Sequence, residues 1–130
     1  MAAHDPDRES LALLVAGFIC SEAYVAARHD DYRAAEYMWT MALDFYPTHL
    51  PSKTGLAILY FNMENHGRAL KYACEVIDAY ERPGELSGVM GDLVSGKYES
   101  EAAAATGVLG IKGSSQAVID QMRMIRDAIR

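Results

Sequence analysis

The sequence predicts an all-α protein assembled from short helical hairpins. Apolar residues recur at helical spacing through most of the chain, and no stretch alternates cleanly enough for a strand. The interruptions are short and carry helix-ending or turn chemistry: "RHDDY" at 28–32, "PTHLPSK" at 47–53, "NHG" at 65–67 and "ERPGE" at 81–85. Small residues also return at a fixed interval, since Ala23 and Ala57 are separated by the same stretch of chain as Ala35 and Ala69.

Each element follows from local chemistry. Asp5, Pro6 and Asp7 read as an N-cap, a proline at the first helical position and an acidic first turn, opening a helix to about Arg28. Residues 1–5 before it are expected to be disordered. Asp30 or Asp31 caps a second helix from Tyr32 to about Tyr46, stopped at Pro47. A third starts at Pro51 or Ser52 and ends near Glu64. The tight turn at Asn65–Gly67 precedes a fourth, which reaches about Tyr80. Further on, Val118, Met122, Ile125 and Ile129 fall on one face of a last helix, about Ser115 to Arg130.

Composition narrows the function classes. With 130 residues the chain makes one domain, 1–130, large enough to bury a core without staples. A formal net charge of −6 and scattered Lys and Arg argue against a nucleic-acid surface. The apolar run "LALLVAGFIC" (11–20) is about half of a membrane span, and the acidic residues before it do not make a secretory leader. Cys20 and Cys74 lack CxxC spacing and read as buried free thiols of a reducing compartment. No membrane insertion and a cytoplasmic location are expected.

Paired helices with a 34-residue period are the tetratricopeptide signature, and residues 16–83 resemble two tandem repeats of that family. The first, 16–49, places Ile19, Ala23, Ala35, Trp39, Ala42 and Pro47 where the family has its large, small and proline positions. The second, 50–83, matches with Leu56, Ala57, Tyr60, Ala69 and Val76. Glu22, Ala26 and Ala73 depart from the pattern, and these departures predict looser packing inside the first hairpin. The resemblance implies a right-handed superhelix: a helical extension over 6–15, the two repeats, a degenerate repeat over 84–113 and a capping helix over 114–130. Ala35 is then small because the two helices of a hairpin cross closely there.

Catalytic and cofactor motifs are weak throughout. "GVLGIKGSS" (107–115) places Lys112 before Gly113 and fails the phosphate-loop spacing. His4, His29, His49 and His66 form no i, i+4 pair and read as solvated turn or terminal residues. No nucleophile elbow is present. No catalytic residues, no metal and no cofactor are expected, and the protein is not expected to be an enzyme.

Two apolar surfaces stand above this background. By the family resemblance, the concave face is formed by Cys20, Tyr24, Ala27 and Arg28 of the first repeat and Thr54, Ile58, Phe61 and Asn62 of the second. "GLAILYFNM" (55–63) is apolar on both sides of its helix, more than a two-layer packing uses. It forms either a partner-binding groove or a surface under the last helix. In "LALLVAGF", Leu11, Leu14, Val15 and Phe18 join Leu13 around the whole helix, for homo- or hetero-oligomeric association or simple N-terminal capping. The expected function is protein binding: a client segment, amphipathic helix or extended, held in the groove. In size, charge and groove character the chain is similar to the small tetratricopeptide chaperones of bacterial type III secretion. A scaffold or adaptor subunit of another complex is the alternative.

Overall fold

The computed structural model describes residues 6–82 and 115–129. Every element among them is a helix: α1 (Pro6–Arg28), α2 (Tyr32–Phe45), α3 (Leu50–Asn62), α4 (His66–Glu81) and α5 (Ser115–Ile129). α1 packs along α2 and α3 along α4. α3 sits on α2 and touches α1, while α5 lies on α4 and reaches α3. The start at 1–5 and the degenerate repeat expected over 84–113 lie outside the described residues.

The two hairpins turn in the same way, at positions one repeat period apart. α1 ends with Asp30 in the left-handed region (φ 62°), and α3 ends with Glu64 at φ 61°. The Asp31 N–H donates to the Ala26 carbonyl at 2.9 Å and Asp30 to Ala27 at 3.0 Å. Asn65 repeats this to Tyr60 at 2.8 Å and Glu64 to Phe61 at 3.1 Å. These are the crossed bonds of a Schellman motif, which satisfy the last carbonyls of each helix. The same residues then open the next helix. Asp31 Oδ1 accepts from Ala34 N at 3.2 Å, and Asn65 Oδ1 from Arg68 N at 3.4 Å. Of the two residues expected to cap α2, Asp31 does so, and Asp30 is instead the left-handed residue that follows α1. The turn expected at Asn65–Gly67 closes earlier, because Asn65 is the cap and His66 and Gly67 are already helical.

Burial follows the same interval. Ala23 and Ala57, Ala35 and Ala69, and Ala42 and Val76 are all fully buried, so small side chains mark the close crossings in both hairpins. The looser first hairpin expected from Glu22 and Ala26 is not seen. Glu22 is exposed and stays out of the contact, while Ala16, Cys20 and Ala23 close against Ala35, Trp39 and Ala42. One larger core joins the hairpins through Trp39, Leu56, Tyr60 and Val76, and extends to Met122 and Ile125 of α5. A smaller one gathers Leu13, Ala42, Tyr46 and Leu50.

Gly55 sits in the middle of α3, where glycine costs about 1 kcal/mol of helix propensity. The reason is Trp39: a Cβ at Gly55 would lie 2.8 Å from Trp39 Nε1 and nearer still to two ring carbons. The missing side chain admits the indole between α2 and α3. Polar links join the same elements, with Tyr46 Oη donating to Glu9 at 2.6 Å and Tyr60 Oη to Glu36 at 2.6 Å. Lys53 pairs with Glu75 at 2.8 Å and Arg123 with Glu81 at 2.6 Å, the latter holding the Glu81 carboxyl below its ordinary range.

α1 carries more apolar length than the ten-residue run suggested. By length and composition alone Asp7–Arg28 is long and apolar enough to cross a membrane. In this fold one face of it, with Leu13, Ala16, Cys20 and Ala23, is core.

Candidate functional site

A cleft of about 230 Å³ opens between the C-terminal end of α1, α2 and α3. Tyr24, Ala27 and Arg28 of α1 form one wall, and Ile58, Leu59 and Asn62 of α3 the other. Trp39 and Gly55 are in contact between them, and Tyr32 lies at the start of α2. Tyr24 is fixed twice, edge-on to Trp39 with ring centroids 4.9 Å apart and through its hydroxyl to the Pro51 carbonyl at 3.1 Å. Its burial raises the phenol pKa, so the ring is neutral over the physiological range. Tyr32 Oη donates to Asp30 Oδ1 at 3.1 Å. The cleft wall is mainly apolar, with Arg28 and Asn62 beside it.

Five of the eight residues expected on the concave face line this cleft: Tyr24, Ala27, Arg28, Ile58 and Asn62. The other three do not. Cys20 of α1 is fully buried and Thr54 of α3 nearly so, since both lie inside the packing of α3 on the first hairpin. Phe61 is half-buried, packs against the core and stacks near the His66 ring at 6.3 Å. Trp39, Gly55, Leu59 and Tyr32 complete the cleft and were not expected there. A tryptophan one helix away from a mid-helix glycine was the available signal for the first two.

Behind the cleft runs a buried polar chain. His49, expected to be a solvated turn residue, is fully buried. Its Nδ1 lies 2.7 Å from Ser52 Oγ, also fully buried, while its Nε2 has no hydrogen-bond partner among the described residues. Desolvation lowers the imidazole pKa to about 4, so His49 is neutral at pH 7. Burial pushes the Cys20 thiol up to about 11, opposed by the smaller influence of Ser52 and Trp39. The indole stands close enough to affect that sulfur, but Trp39 Nε1 is not in hydrogen-bond geometry with any group among the described residues. A raised thiol pKa makes Cys20 unreactive. The Ser52–His49 pair resembles a nucleophile and base only in distance. The weakly basic imidazole and the complete burial of both side chains leave no access for a substrate. Among the described residues no cluster of three or more His, Cys, Asp or Glu could hold a metal.

On α1, Leu11, Leu14 and Phe18 are exposed by 61%, 54% and 67%, and Val15 is half-buried. Three of the four residues expected on an association face therefore stand in solvent. No protein-family model, curated protein or solved structure matches the chain.

Proposed function

We propose that this protein is a non-enzymatic binding module of the tetratricopeptide type, whose cleft between α1, α2 and α3 holds a segment of a client protein. Several features support the repeat reading. Turn hydrogen bonds, left-handed residues, caps and buried alanines recur at one common period, and α5 lies on α4 and α3 much as α3 lies on α2 and α1. The observation that carries the binding reading is the cleft itself, apolar in its walls and set between rigid helices. At about 230 Å³ it is smaller than the usual small-molecule site, and fits an anchoring side chain of a helix or extended segment better than a cofactor. A few such anchors carry most of the energy of an interface.

In its finer form the proposal is a cytoplasmic chaperone that guards a helical segment of a type III secretion component, with a scaffold subunit as the alternative. A chaperone yields a small helical client that is released on transfer, whereas a scaffold brings down a stable assembly. The test is co-purification with wild type, with Ile58→Asp and with a control at the exposed Met124 (Met124→Asp). Ile58→Asp is expected to lose the partner while melting within a few degrees of wild type, and Met124→Asp to retain it. Tyr60→Asp, in the core, is expected to unfold the chain. A partner retained by Ile58→Asp, or a collapse like that of Tyr60→Asp, sinks the cleft as the binding site.

A further inference from the structure

We propose that the cleft selects a client segment with one acidic side chain within a helical turn of the apolar residue it buries, an inference that rests on the cleft being the client site. The charge of the chain sets the cleft apart from the rest of its surface. The protein carries a formal net charge of −6. Among the described residues lining the cleft there is nevertheless no carboxylate, and the one charged side chain is a cation, Arg28. The buried Tyr24 phenol beside it stays neutral.

Arg28 is also uncommitted within the fold. Other cations have partners: Lys53 pairs with Glu75, Arg68 with Glu36 and Arg123 with Glu81, while Lys71 lies over the Tyr72 ring. Arg28 is exposed and makes no ion pair among the described residues, although Asp30 and Asp31 follow it closely in sequence. Those two carboxylates are engaged elsewhere. Asp30 Oδ1 accepts from Tyr32 Oη, and Asp31 Oδ1 accepts from Ala34 N. On the opposite wall Asn62, the last residue of α3, is exposed, and its side-chain amide has no hydrogen bond among the described residues. The guanidinium presents a fork of N–H donors and the amide two more, all suited to oxygen acceptors.

The occupant follows from these groups taken together. A large apolar side chain enters between Tyr24 and Ile58 and loses its water there, as an anchor does. Arg28 and Asn62 close α1 and α3 beside that anchor, so the residue a turn before or after it on a bound helix is the one that meets them. A carboxylate at that place makes a charge-assisted bond to Arg28, a neutral amide makes a weaker one, and an ammonium is repelled. Acids farther along the client would meet a negatively charged protein. The cleft therefore calls for a single acid next to the anchor, not for an acidic run.

Trp39 is the chain's single tryptophan and lines the cleft, so its fluorescence reports occupancy. The probes are three helical peptides without tryptophan, blocked at both ends. They share one leucine seam and carry Glu, Gln or Lys a turn from the central leucine. Wild type is expected to bind the Glu peptide about three- to fivefold more tightly than the Gln peptide, with the Lys peptide weakest. Arg28→Gln is expected to erase that preference and keep the Gln affinity. Arg33→Gln, at an exposed cation that does not line the cleft, is expected to preserve it. Equal affinity for the Glu and Gln peptides overturns the inference and leaves the cleft in place, as does a preference that survives Arg28→Gln. If only a Gln peptide ending in a free carboxylate after the central leucine gains binding through Arg28, the side-chain assignment is overturned in favour of a chain terminus. Binding of none of the peptides, with Trp39 fluorescence unchanged, removes the cleft reading itself and the inference with it.

Discussion

His49 makes the stability of this fold depend on pH in a window set by one side chain. In the unfolded chain the imidazole titrates near 6.5; in the fold, burial lowers it to about 4. The folded state therefore holds fewer protons than the unfolded state between these values, and stability rises with pH there. Its contribution is complete above about pH 6.5, falls as pH drops toward 4, and is fully lost below. One pH unit of difference is worth about 1.4 kcal/mol, so the whole effect is on the order of 3 kcal/mol and about 2 kcal/mol is gone by pH 5. That is a large share of a small domain's stability. Urea denaturation of wild type and His49→Gln at pH 7.5 and pH 5.0 measures it. The variant loses the Ser52 contact and starts lower at both values, so the quantity to compare is each protein's own change with pH. Wild type is expected to lose about 2 kcal/mol more than His49→Gln across this interval. Equal losses would refute the reasoning and place the acid sensitivity elsewhere.

Two further predictions concern the duplicated framework. Ala35→Leu and Ala69→Leu are each expected to cost about 1–3 kcal/mol by overpacking equivalent crossings, read as similar shifts of the urea midpoint; a neutral result at either position would break their equivalence. Glu64→Gly is expected to stabilise by about 0.5–1 kcal/mol, since glutamate at φ 61° carries a left-handed strain that glycine relieves. A lower melting temperature for Glu64→Gly would mean that its side chain stabilises the turn more than its backbone strains it.

The helices were legible because their ends are written in local chemistry. Asp31, Asn65 and Pro47 place the second helix start, the fourth helix start and the end of α2 to within a residue or two, and the spacing of alanines matches the interval at which buried alanines and turns recur in the two hairpins. The cleft was only partly legible. The family resemblance put Cys20 and Tyr24, i and i+4, on one face of α1, but only the seating of α3 decides how much of that face is closed. Gly55 lets the Trp39 ring in and brings α3 close to α2, and Cys20 and Thr54 pass from surface to core. His49 was hidden for a related reason. A histidine between two prolines looks like a turn residue, and nothing in its local sequence shows that the ring packs beside Tyr46 and bonds Ser52 in the interior.

The doubly used residues Asp31 and Asn65 also have a mechanical meaning. The turn inside each hairpin has its backbone groups tied on both sides, so a hairpin should move as one lever with little give at its own bend. Compliance is left to the joint at Tyr46–His49, which the His49 N–H bond to the Tyr46 carbonyl closes at 3.0 Å. The cleft has α1 and α2 on one lever and α3 on the other, so a tilt at this joint would set the width of the opening. A client that widens the cleft would load the Tyr46–Glu9 and His49–Ser52 contacts at this joint.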